Sequence, residues 1–371
     1  MPTAATTKVY VDLATELDSE HWRRRHLRDE VPDATPYGLD RLEHYGVELT
    51  LRDPAFAAIG SNRGGWRCSA ALGRVARTLR HRTGGAQFLE AALNLATRTR
   101  RQADVVLCYD ERTGVPSALT PSRLGPPTVT GVGWLSRVAD ADPAMARLAR
   151  LALPRAALVW TQCAPVLPLL RSEWGVAPSR IRFVPFGIDT DFYRRQPPPQ
   201  RPDVVVSAGE DRYRDHQLLV DAVAALRGRH PGIHLELATG TSLRLPDGLV
   251  TQHTGRLDGA MRAVYQRGSV VAIALKPTVT GSGLSVVLEA MASGRPVVVT
   301  ANPGIDDYVA HNETGLLVPA GDQAAMSAAI SELLADPQRA AELGAAGAAR
   351  VRANFTSEIM ARQLAELLTS V

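Results

Sequence analysis

The sequence contains little lysine and little cysteine. Lys8 and Lys276 are its only lysines among 42 basic residues, so arginine carries nearly all of the positive charge. The three cysteines, Cys68, Cys108 and Cys163, are odd in number and far apart, which excludes a disulfide framework and a Cys-x-x-Cys metal site. We expect them to be small, buried apolar side chains.

Long hydrophobic runs are also missing. No segment approaches the roughly 18 consecutive apolar residues that cross a bilayer. The amino-terminal segment has no apolar core of the kind found in secretion signals. We therefore expect a water-soluble, cytoplasmic protein.

Length and charge set two further limits. The 371 residues exceed what one hydrophobic core organises, which favours two domains. A net charge of +4 favours an anionic partner. Sugar nucleotides, lipid head groups and nucleic acid all meet that condition, and the sign of the charge does not choose among them.

Short apolar runs alternate with helical patterns along the chain, which predicts α/β domains with parallel sheets covered by helices. The predicted strands lie at 8–13, 103–109, 127–132, 156–162, 180–187, 203–209, 234–240, 270–275 and 295–300. A proline-rich stretch at 194–203 can continue neither a helix nor a central strand, so we place the domain linker there. The predicted domains are 1–194 and 203–355, followed by a C-terminal helix at 356–371 that packs back toward the first domain.

The most informative segment runs from 281 to 318. Gly281, Ser282 and Gly283 precede a predicted helix from Leu284 to Ser293, and glycines there let the backbone approach a ligand closely. The backbone amides at a helix start favour an anion such as phosphate. The segment therefore predicts an anion-binding loop.

Three stretches together resemble a known family. They are VPFGIDTDFY at 184–193, SAGEDRYRDHQLLVDA at 207–222 and the segment at 281–318. In this order they resemble the retaining glycosyltransferases of family 4, which have the GT-B fold. The resemblance implies two Rossmann-like domains, with the active site in the cleft between them. It also implies transfer of a sugar from a nucleotide-diphosphate sugar, a co-substrate that makes a further cofactor unnecessary.

The resemblance assigns roles within the donor site. Glu289 corresponds to the second of two family glutamates and grips the ribose hydroxyls, a task that suits a carboxylate. Its alternative is a solvent-facing helical glutamate. Gly281 stands where the first glutamate is expected, so a side-chain contact to the donor sugar is lost. The predicted donor-binding residues are Gly209, Arg212, Arg214, Gly281, Ser282, Gly283, Leu284, Ser285 and Glu289.

Two arginines replace the cations that clamp the diphosphate in the family. The family shows Gly-Arg followed by Lys-Gly, whereas this sequence has Glu210 at the first cation. We hypothesise that Arg214 takes the role of the lysine and that Arg212 compensates for Glu210, because arginine binds phosphate oxygens in bidentate fashion. The alternative is two loop arginines that point to solvent.

No metal is required by this interpretation. Two Asp-x-Asp triplets, at 140–142 and 189–191, are discounted because one precedes a proline and the other turns the chain toward the linker. Stabilisation of the leaving diphosphate is assigned to Arg212, Arg214 and the helix start. By the resemblance, the acceptor hydroxyl attacks from the same face and passes its proton to the departing phosphate.

The acceptor side is less defined. By the resemblance, the family often has a histidine near the donor sugar, after about the fourth strand of this domain. The corresponding stretch here, TVTGVGWLSR at 128–137, contains none. Gly131, Gly133 and Trp134 are predicted to form a flat acceptor surface there instead. Packing of Trp134 in the core is the alternative. Asp110 and Glu111 follow a predicted strand, so they are candidate acceptor contacts and, with the two arginines, candidate catalytic residues.

Nine arginines and one acidic residue lie between Arg63 and Arg101. Such a basic surface suits contact with an anionic membrane and a lipid acceptor. A solvated helical face and a small-molecule acceptor, such as a natural product or small sugar, are the alternative.

Two other functions share the predicted nucleotide site. One is a sugar-nucleotide 2-epimerase of the GT-B fold, and the other is a weakly active protein that binds nucleotide sugars. Nucleic-acid binding is not expected, because the arginines lack interleaved aromatic residues.

Overall fold

The computed structural model describes residues 6–51, 66–95, 97–199 and 201–371. The chain divides into two compact units. Unit 1 consists of Met1–Leu27, Ala34–Pro185 and Met360–Val371, and unit 2 consists of Arg28–Asp33 and Phe186–Ile359.

Unit 1 contains one parallel sheet and its flanking helices. Its strands are β1 (Thr7–Asp12), β2 (Val47–Leu51), β3 (Val105–Cys108), β4 (Thr128–Val132), β5 (Leu158–Thr161) and β6 (Ile181–Phe183). Its helices are α1 (Ser19–His26), α2 (Trp66–Arg82), α3 (Phe88–Leu95), α4 (Arg98–Arg101), α5 (Glu111–Ala118), α6 (Pro143–Ala152) and α7 (Val166–Ser172). A 3-10 segment over Pro36–Tyr45 ends at Gly46, whose φ of 76° is in the left-handed region that favours glycine at the end of a helix.

Unit 2 repeats this plan. Its strands are β7 (Val204–Ala208), β8 (His234–Ala238), β9 (Val250–His253), β10 (Val270–Ile273), β11 (Val297–Thr300) and β12 (Leu316–Val318). Its helices are α8 (His216–Ala224), α9 (Met261–Arg267), α10 (Leu284–Ala292), α11 (Gln323–Ala335) and α12 (Pro337–Asn354). The last helix, α13 (Ser357–Thr369), begins in unit 2 and continues into unit 1 from Met360. None of the described helices is both long and apolar enough to span a bilayer.

All the strand pairs in the two sheets are parallel. The order is β2-β1-β3-β4-β5-β6 in unit 1 and β12-β11-β10-β7-β8-β9 in unit 2. The second order is that of a Rossmann sheet, with its reversal between β7 and β10. In the first sheet the order reverses between β1 and β3. Ligands of such sheets bind where the order reverses, at the carboxyl ends of the strands.

The core of unit 2 explains its valine-rich strands. Val206, Val271 and Val297 pack with α10 and α12 on one face of the sheet. Val205 and Val298 pack with α8 and α11 on the other. Successive strand residues point to opposite faces, so a sheet covered on both faces needs unbroken apolar runs.

The proline-rich stretch is tied to unit 2. The backbone NH of Gln196 donates to the carbonyl of Ser293 over 3.0 Å, and Arg295 Nη2 donates to the carbonyl of Pro197 over 2.5 Å. The division between the units falls after Pro185, ahead of this stretch. Residues 194–199 therefore belong to unit 2 and pack against its surface.

The two Asp-x-Asp triplets contain aspartates that bond to backbone. Asp142 accepts the NH groups of Ala144 and Met145 at the start of α6. Asp189 is buried and accepts the NH groups of Asp191 and Phe192 over 3.0 and 3.1 Å. Both carboxylates therefore stabilise local chain turns.

Every predicted strand overlaps a strand of the structure, and β1 starts one residue earlier than predicted, at Thr7. Three further strands, β2, β9 and β12, lie outside the predicted ranges. β9 reads Val-Thr-Gln-His and is only half-buried at a sheet edge, and β12 has three residues, so neither gives a long apolar run. Asp336 lies at the junction of α11 and α12 and accepts the NH of Arg339 at the start of α12.

Candidate functional site

The predicted donor residues lie at the strand-order reversal of unit 2. The loop after β7 carries residues 209–215, and the loop after β10 carries 274–283. Arg214 and Leu275 form an isolated bridge between these loops. The two sequence stretches that predicted the site are therefore adjacent in space.

Arg214 is a buried cation in this place. Its side chain is 6% exposed, and its Nε donates to Asp211 Oδ2 over 2.8 Å. Its Nη1 is buried and has no hydrogen-bond partner among the described residues. An unsatisfied buried donor costs free energy, so an anionic ligand would complete the hydrogen bonding of this guanidinium.

Two glycines flank the guanidinium of Arg214. A Cβ on Gly209 would overlap its Nε and Cζ, and a Cβ on Gly283 would lie 3.5 Å from Nη1. The φ angles are +140° at Gly209 and +86° at Gly283, which non-glycine residues rarely adopt. Space and backbone conformation therefore both require glycine at 209.

Asp211 connects the two loops, and sequence reasoning missed it. Its Oδ2 accepts from Arg214, and its Oδ1 accepts the hydroxyl of Ser282 over 2.8 Å. The same Oδ1 accepts the NH of Tyr213 over 3.1 Å. Asp211 thereby fixes both the arginine and the glycine-rich loop. Nothing in the loop sequence distinguishes this aspartate from Asp215, which caps α8.

A second missed residue is His216. It is buried at the start of α8, and its Nε2 donates to the carbonyl of Gly209 over 2.9 Å. Burial lowers the pKa of His216, which favours the neutral ring. The histidine therefore holds the peptide of Gly209 without adding a charge.

The other two charged residues of the loop point elsewhere. Arg212 is exposed, its Nη2 donates to Tyr213 Oη over 2.8 Å, and its guanidinium lies 4.8 Å from the Tyr213 ring centroid. Glu210 accepts the NH of Gly240 over 2.7 Å. The structure therefore places Arg214 inside the loop and Arg212 on its surface.

The predicted anion loop opens α10. Gly283 is the residue before the helix, and Leu284 and Ser285 form its first turn. The side chain of Leu284 packs in the core, so only its backbone is available to a ligand. Gly281 lies beside it, and a Cβ there would approach Leu284 Cδ1 to 2.8 Å.

Glu289 lies on the next part of α10, beside two tyrosines that the sequence did not indicate. Tyr265 Oη donates to Glu289 Oε2 over 2.8 Å, and Tyr193 lies near enough to lower the pKa of the same carboxyl group. Burial raises the pKa of Glu289 to about 7, against the lowering effects of the two tyrosines and of Arg214. The carboxyl group therefore belongs to the same charged neighbourhood as the buried arginine.

In unit 1, Asp110 and Glu111 follow β3 at the strand-order reversal. Asp110 caps α5 by accepting the NH of Arg112 over 2.9 Å and pairs with its guanidinium. Glu111 is 2% exposed, and its two oxygens accept the NH groups of Gly133 and Trp134, each over 2.9 Å. Burial first, and then the charge of Asp110, raise the pKa of Glu111 to about 7.

The predicted acceptor residues separate into two environments. Trp134 is 43% exposed and Gly133 is also exposed, whereas Gly131 lies in the buried strand β4. A Cβ on Gly131 would overlap the carbonyl of Tyr109 and approach the ring of Trp160. Gly131 is therefore needed for packing, and Trp134 is the surface aromatic of the group.

The basic segment includes arginines that do not form a surface. Arg100 is 1% exposed and donates to Ser117 Oγ over 3.0 Å, and Arg80 pairs with the buried Glu90. Arg63 and the side chain of Arg67 lie outside the described residues.

Cys108 is buried, which raises the pKa of its thiol to about 12.

The family profile described as Glycosyl transferases group 1 matches residues 202–336, which lie in unit 2. A GDP-mannose-dependent alpha-(1-6)-phosphatidylinositol monomannoside mannosyltransferase of Mycobacterium tuberculosis is 31% identical over 222 residues, covering 53% of this chain and 57% of its own. A D-inositol 3-phosphate glycosyltransferase of Pseudarthrobacter chlorophenolicus is 30% identical over 210 residues, or 49% of each chain. The chain thus spans about half the length of these curated relatives.

A solved structure extends the likeness over the whole fold. The crystal structure of Anabaena HepE in complex with UDP and glucose matches with a TM-score of 0.70 at 18% identity, covering 99% of this chain and 100% of that chain. The predicted GT-B fold, with two Rossmann-like domains on parallel sheets, is thereby confirmed. The second unit is thus similar in sequence to the group 1 glycosyltransferases over residues 202–336.

Proposed function

We propose that this protein transfers a sugar from a nucleotide-diphosphate sugar to an acceptor hydroxyl, with retention of anomeric configuration and without a metal ion. The observation that carries the proposal is the buried guanidinium of Arg214 between Gly209 and Gly283, with Nη1 unpartnered among the described residues. A diphosphate supplies anionic oxygens that can accept from this Nη1, which Asp211 leaves without a partner.

The donor site would divide the nucleotide sugar between two groups. Arg214 and the first turn of α10 bind the diphosphate, because a helix start and a guanidinium both favour anions. Glu289 binds the ribose, because its carboxylate can accept from two adjacent hydroxyls. The hydrogen bond from Tyr265 keeps that carboxylate in one orientation.

The proposed step needs no covalent intermediate. The acceptor oxygen forms a bond to the anomeric carbon on the face from which the phosphate oxygen leaves, and the acceptor proton passes to that oxygen. Negative charge grows on the leaving diphosphate as its bond breaks, and Arg214 is already in place to meet it. Arg212 is exposed on the loop surface, so we expect it to stabilise this charge much less than Arg214 does.

The acceptor is proposed to be a polyhydroxylated small molecule or the head group of a lipid. The curated relatives are named for an inositol phosphate and for a phosphatidylinositol mannoside. The exposed Trp134 of unit 1 suits a sugar or cyclitol ring, since an aromatic face packs against its CH groups. The sequence left a natural product or small sugar open as the acceptor.

Calorimetry with GDP-mannose and UDP-glucose tests the donor site. Arg214→Ala is expected to weaken binding about 10- to 100-fold, since it removes charge-assisted hydrogen bonds to phosphate. Arg214→Lys should retain part of the affinity. Arg212→Ala is the matched control, an exposed arginine two residues away, and should cost less than about threefold. Equal effects of the two alanine variants would contradict the assignment.

Product analysis tests the reaction. Radiolabelled donor is incubated with inositol 3-phosphate or with phosphatidylinositol monomannoside in detergent, with and without EDTA. A labelled α-linked product that forms equally in EDTA supports retention and metal independence, and a β-linked product overturns retention. Isomerised nucleotide sugar from donor alone would instead show an epimerase, and binding without any turnover would show a binding protein.

A further inference from the structure

Glu111 was predicted to touch the acceptor, but its surroundings point to another use. The residue is 2% exposed, and both carboxylate oxygens are engaged by backbone NH groups. Because the residue is buried, this carboxylate is hardly accessible to a substrate hydroxyl. Its contacts are instead with the two residues that follow β4, Gly133 and Trp134.

The loop after β4 is anchored on both sides of Trp134. Before it, Val132 is buried in the strand, and after it Leu135 is buried in the same core cluster. The carbonyl of Ser136 accepts the indole NH of the buried Trp174 over 2.7 Å. Trp134 stands between these anchors and is nevertheless 43% exposed.

Glu111 supplies the anchor at Trp134 itself. A buried carboxylate that accepts two successive amide protons fixes the plane of the peptide between them, because both hydrogen bonds must stay short. The peptide between Gly133 and Trp134 sets the direction in which the indole leaves the backbone. A Cβ on Gly133 would meet no atom within 4 Å, so the neighbouring packing does not supply this constraint.

We propose that Glu111 is a positioning residue that holds the exposed indole of Trp134 as the stacking surface for the acceptor ring. The proposal rests on the proposed transferase function. The acceptor would be a ring with an apolar face of CH groups, as in a pyranose or an inositol. Its hydroxyls would remain free to reach solvent or other residues.

A double-mutant cycle tests this relationship. Trp134→Ala is expected to raise the KM for the acceptor about tenfold, the loss expected for one aromatic stacking contact, with little change in donor affinity. Glu111→Ala should raise the same KM by a similar factor. The double variant should be no worse than either single variant, because Glu111 acts through the indole. Trp134→Phe, which keeps an aromatic face, should recover most of the affinity.

Glu173→Ala is the matched control. Glu173 also accepts a backbone NH, that of Val138 over 2.6 Å, but in the part of the loop beyond Trp134. Its acceptor KM should stay within about twofold of the wild-type value, which is the range of a surface substitution. Thermal melting of every variant distinguishes a folded protein from a misfolded one.

A fluorescence arm does not depend on finding an acceptor. The quenching of Trp134 by iodide is measured as the difference in fluorescence quenching between the protein and its Trp134→Phe variant. This difference should change when Glu111→Ala is introduced into both proteins. An unchanged difference overturns the anchor. Additive KM effects, or a fall in kcat at constant KM in Glu111→Ala, would also overturn the proposal, since they show a direct role. Absence of transfer to inositol 3-phosphate and phosphatidylinositol monomannoside would overturn the role of Trp134 in acceptor binding. The quenching experiment would then still test whether Glu111 fixes the position of Trp134.

Discussion

The guanidinium of Arg214 lies directly against the Cα of Gly209, so that no other side chain could stand at 209 without displacing it. His216 holds the peptide of Gly209 in turn, because its Nε2 donates to the Gly209 carbonyl. This arrangement makes the glycine a condition for the buried position of the arginine. Its role in ligand binding is therefore indirect and can be tested.

Gly209→Ala should release Arg214 from its position. The new methyl overlaps the guanidinium, and alanine disfavours a φ of +140°. We expect calorimetry with a nucleotide sugar to show affinity at least about tenfold weaker, since a displaced cation no longer meets the phosphate. Gly255→Ala is the control, because a Cβ there meets nothing within 4 Å. Unchanged affinity in Gly209→Ala would show that the arginine is not part of the site.

Asp211→Asn should weaken both the fold and the donor site. The change removes the carboxylate that pairs with the buried Arg214, and breaking such a pair costs about 3 kcal/mol of unfolding free energy. Saturating nucleotide sugar should restore part of this loss, because the phosphates replace the missing charge. Denaturant unfolding with and without ligand measures both effects. Asp221→Asn, which keeps an oxygen that can accept from Gln217, should show neither.

Donor affinity should rise with pH through neutrality. The pKa of Glu289 is raised to about 7, so the group is largely protonated at pH 6 and ionised at pH 8. Only the ionised form accepts from both ribose hydroxyls. Binding should therefore lower this pKa and release protons near pH 7, which calorimetry in buffers of different ionisation enthalpy detects.

The matched variants separate this effect from other titrations. Glu289→Gln should bind the donor more weakly at pH 8, and its donor affinity should no longer rise between pH 6 and 8. Glu111→Gln should keep this rise, although the pKa of Glu111 is also raised to about 7. GDP-mannose is the preferred probe, because its diphosphate is esterified at both ends and does not titrate in this range. A wild-type affinity that is constant between pH 6 and 8 would contradict the ribose assignment.

Local patterns along the chain were sufficient for the architecture. Unbroken valine runs predicted strands covered on both faces, since alternate side chains must enter opposite layers of the core. The glycines at 281 and 283 before an apolar run predicted the start of α10, because the signals that begin a helix lie within a few residues of it. Residues 209–215 and 281–283 were predicted to form one site, and the structure brings these loops together.

Tertiary structure decided which polar groups of the site are buried and what each one holds. Ser282 and Asp211 are 71 residues apart in sequence, so no local pattern could indicate their hydrogen bond. The same holds for Tyr193 and Tyr265, which reach Glu289 from other elements. Arg212 and Arg214 look equivalent in sequence, but only the second faces the glycines and is enclosed.

The sequence alone therefore determined the secondary-structure elements, but not the role of each polar side chain. Hydrophobic periodicity repeats along a segment and therefore specifies strands, helices and the ends of strands where ligands bind. The use of a single carboxylate, such as that of Glu111, depends on which backbone amides the packed core leaves beside it. That information exists only once β4 and α5 are packed together, because the free energy of burying a charge is set by its surroundings and not by its neighbours in sequence.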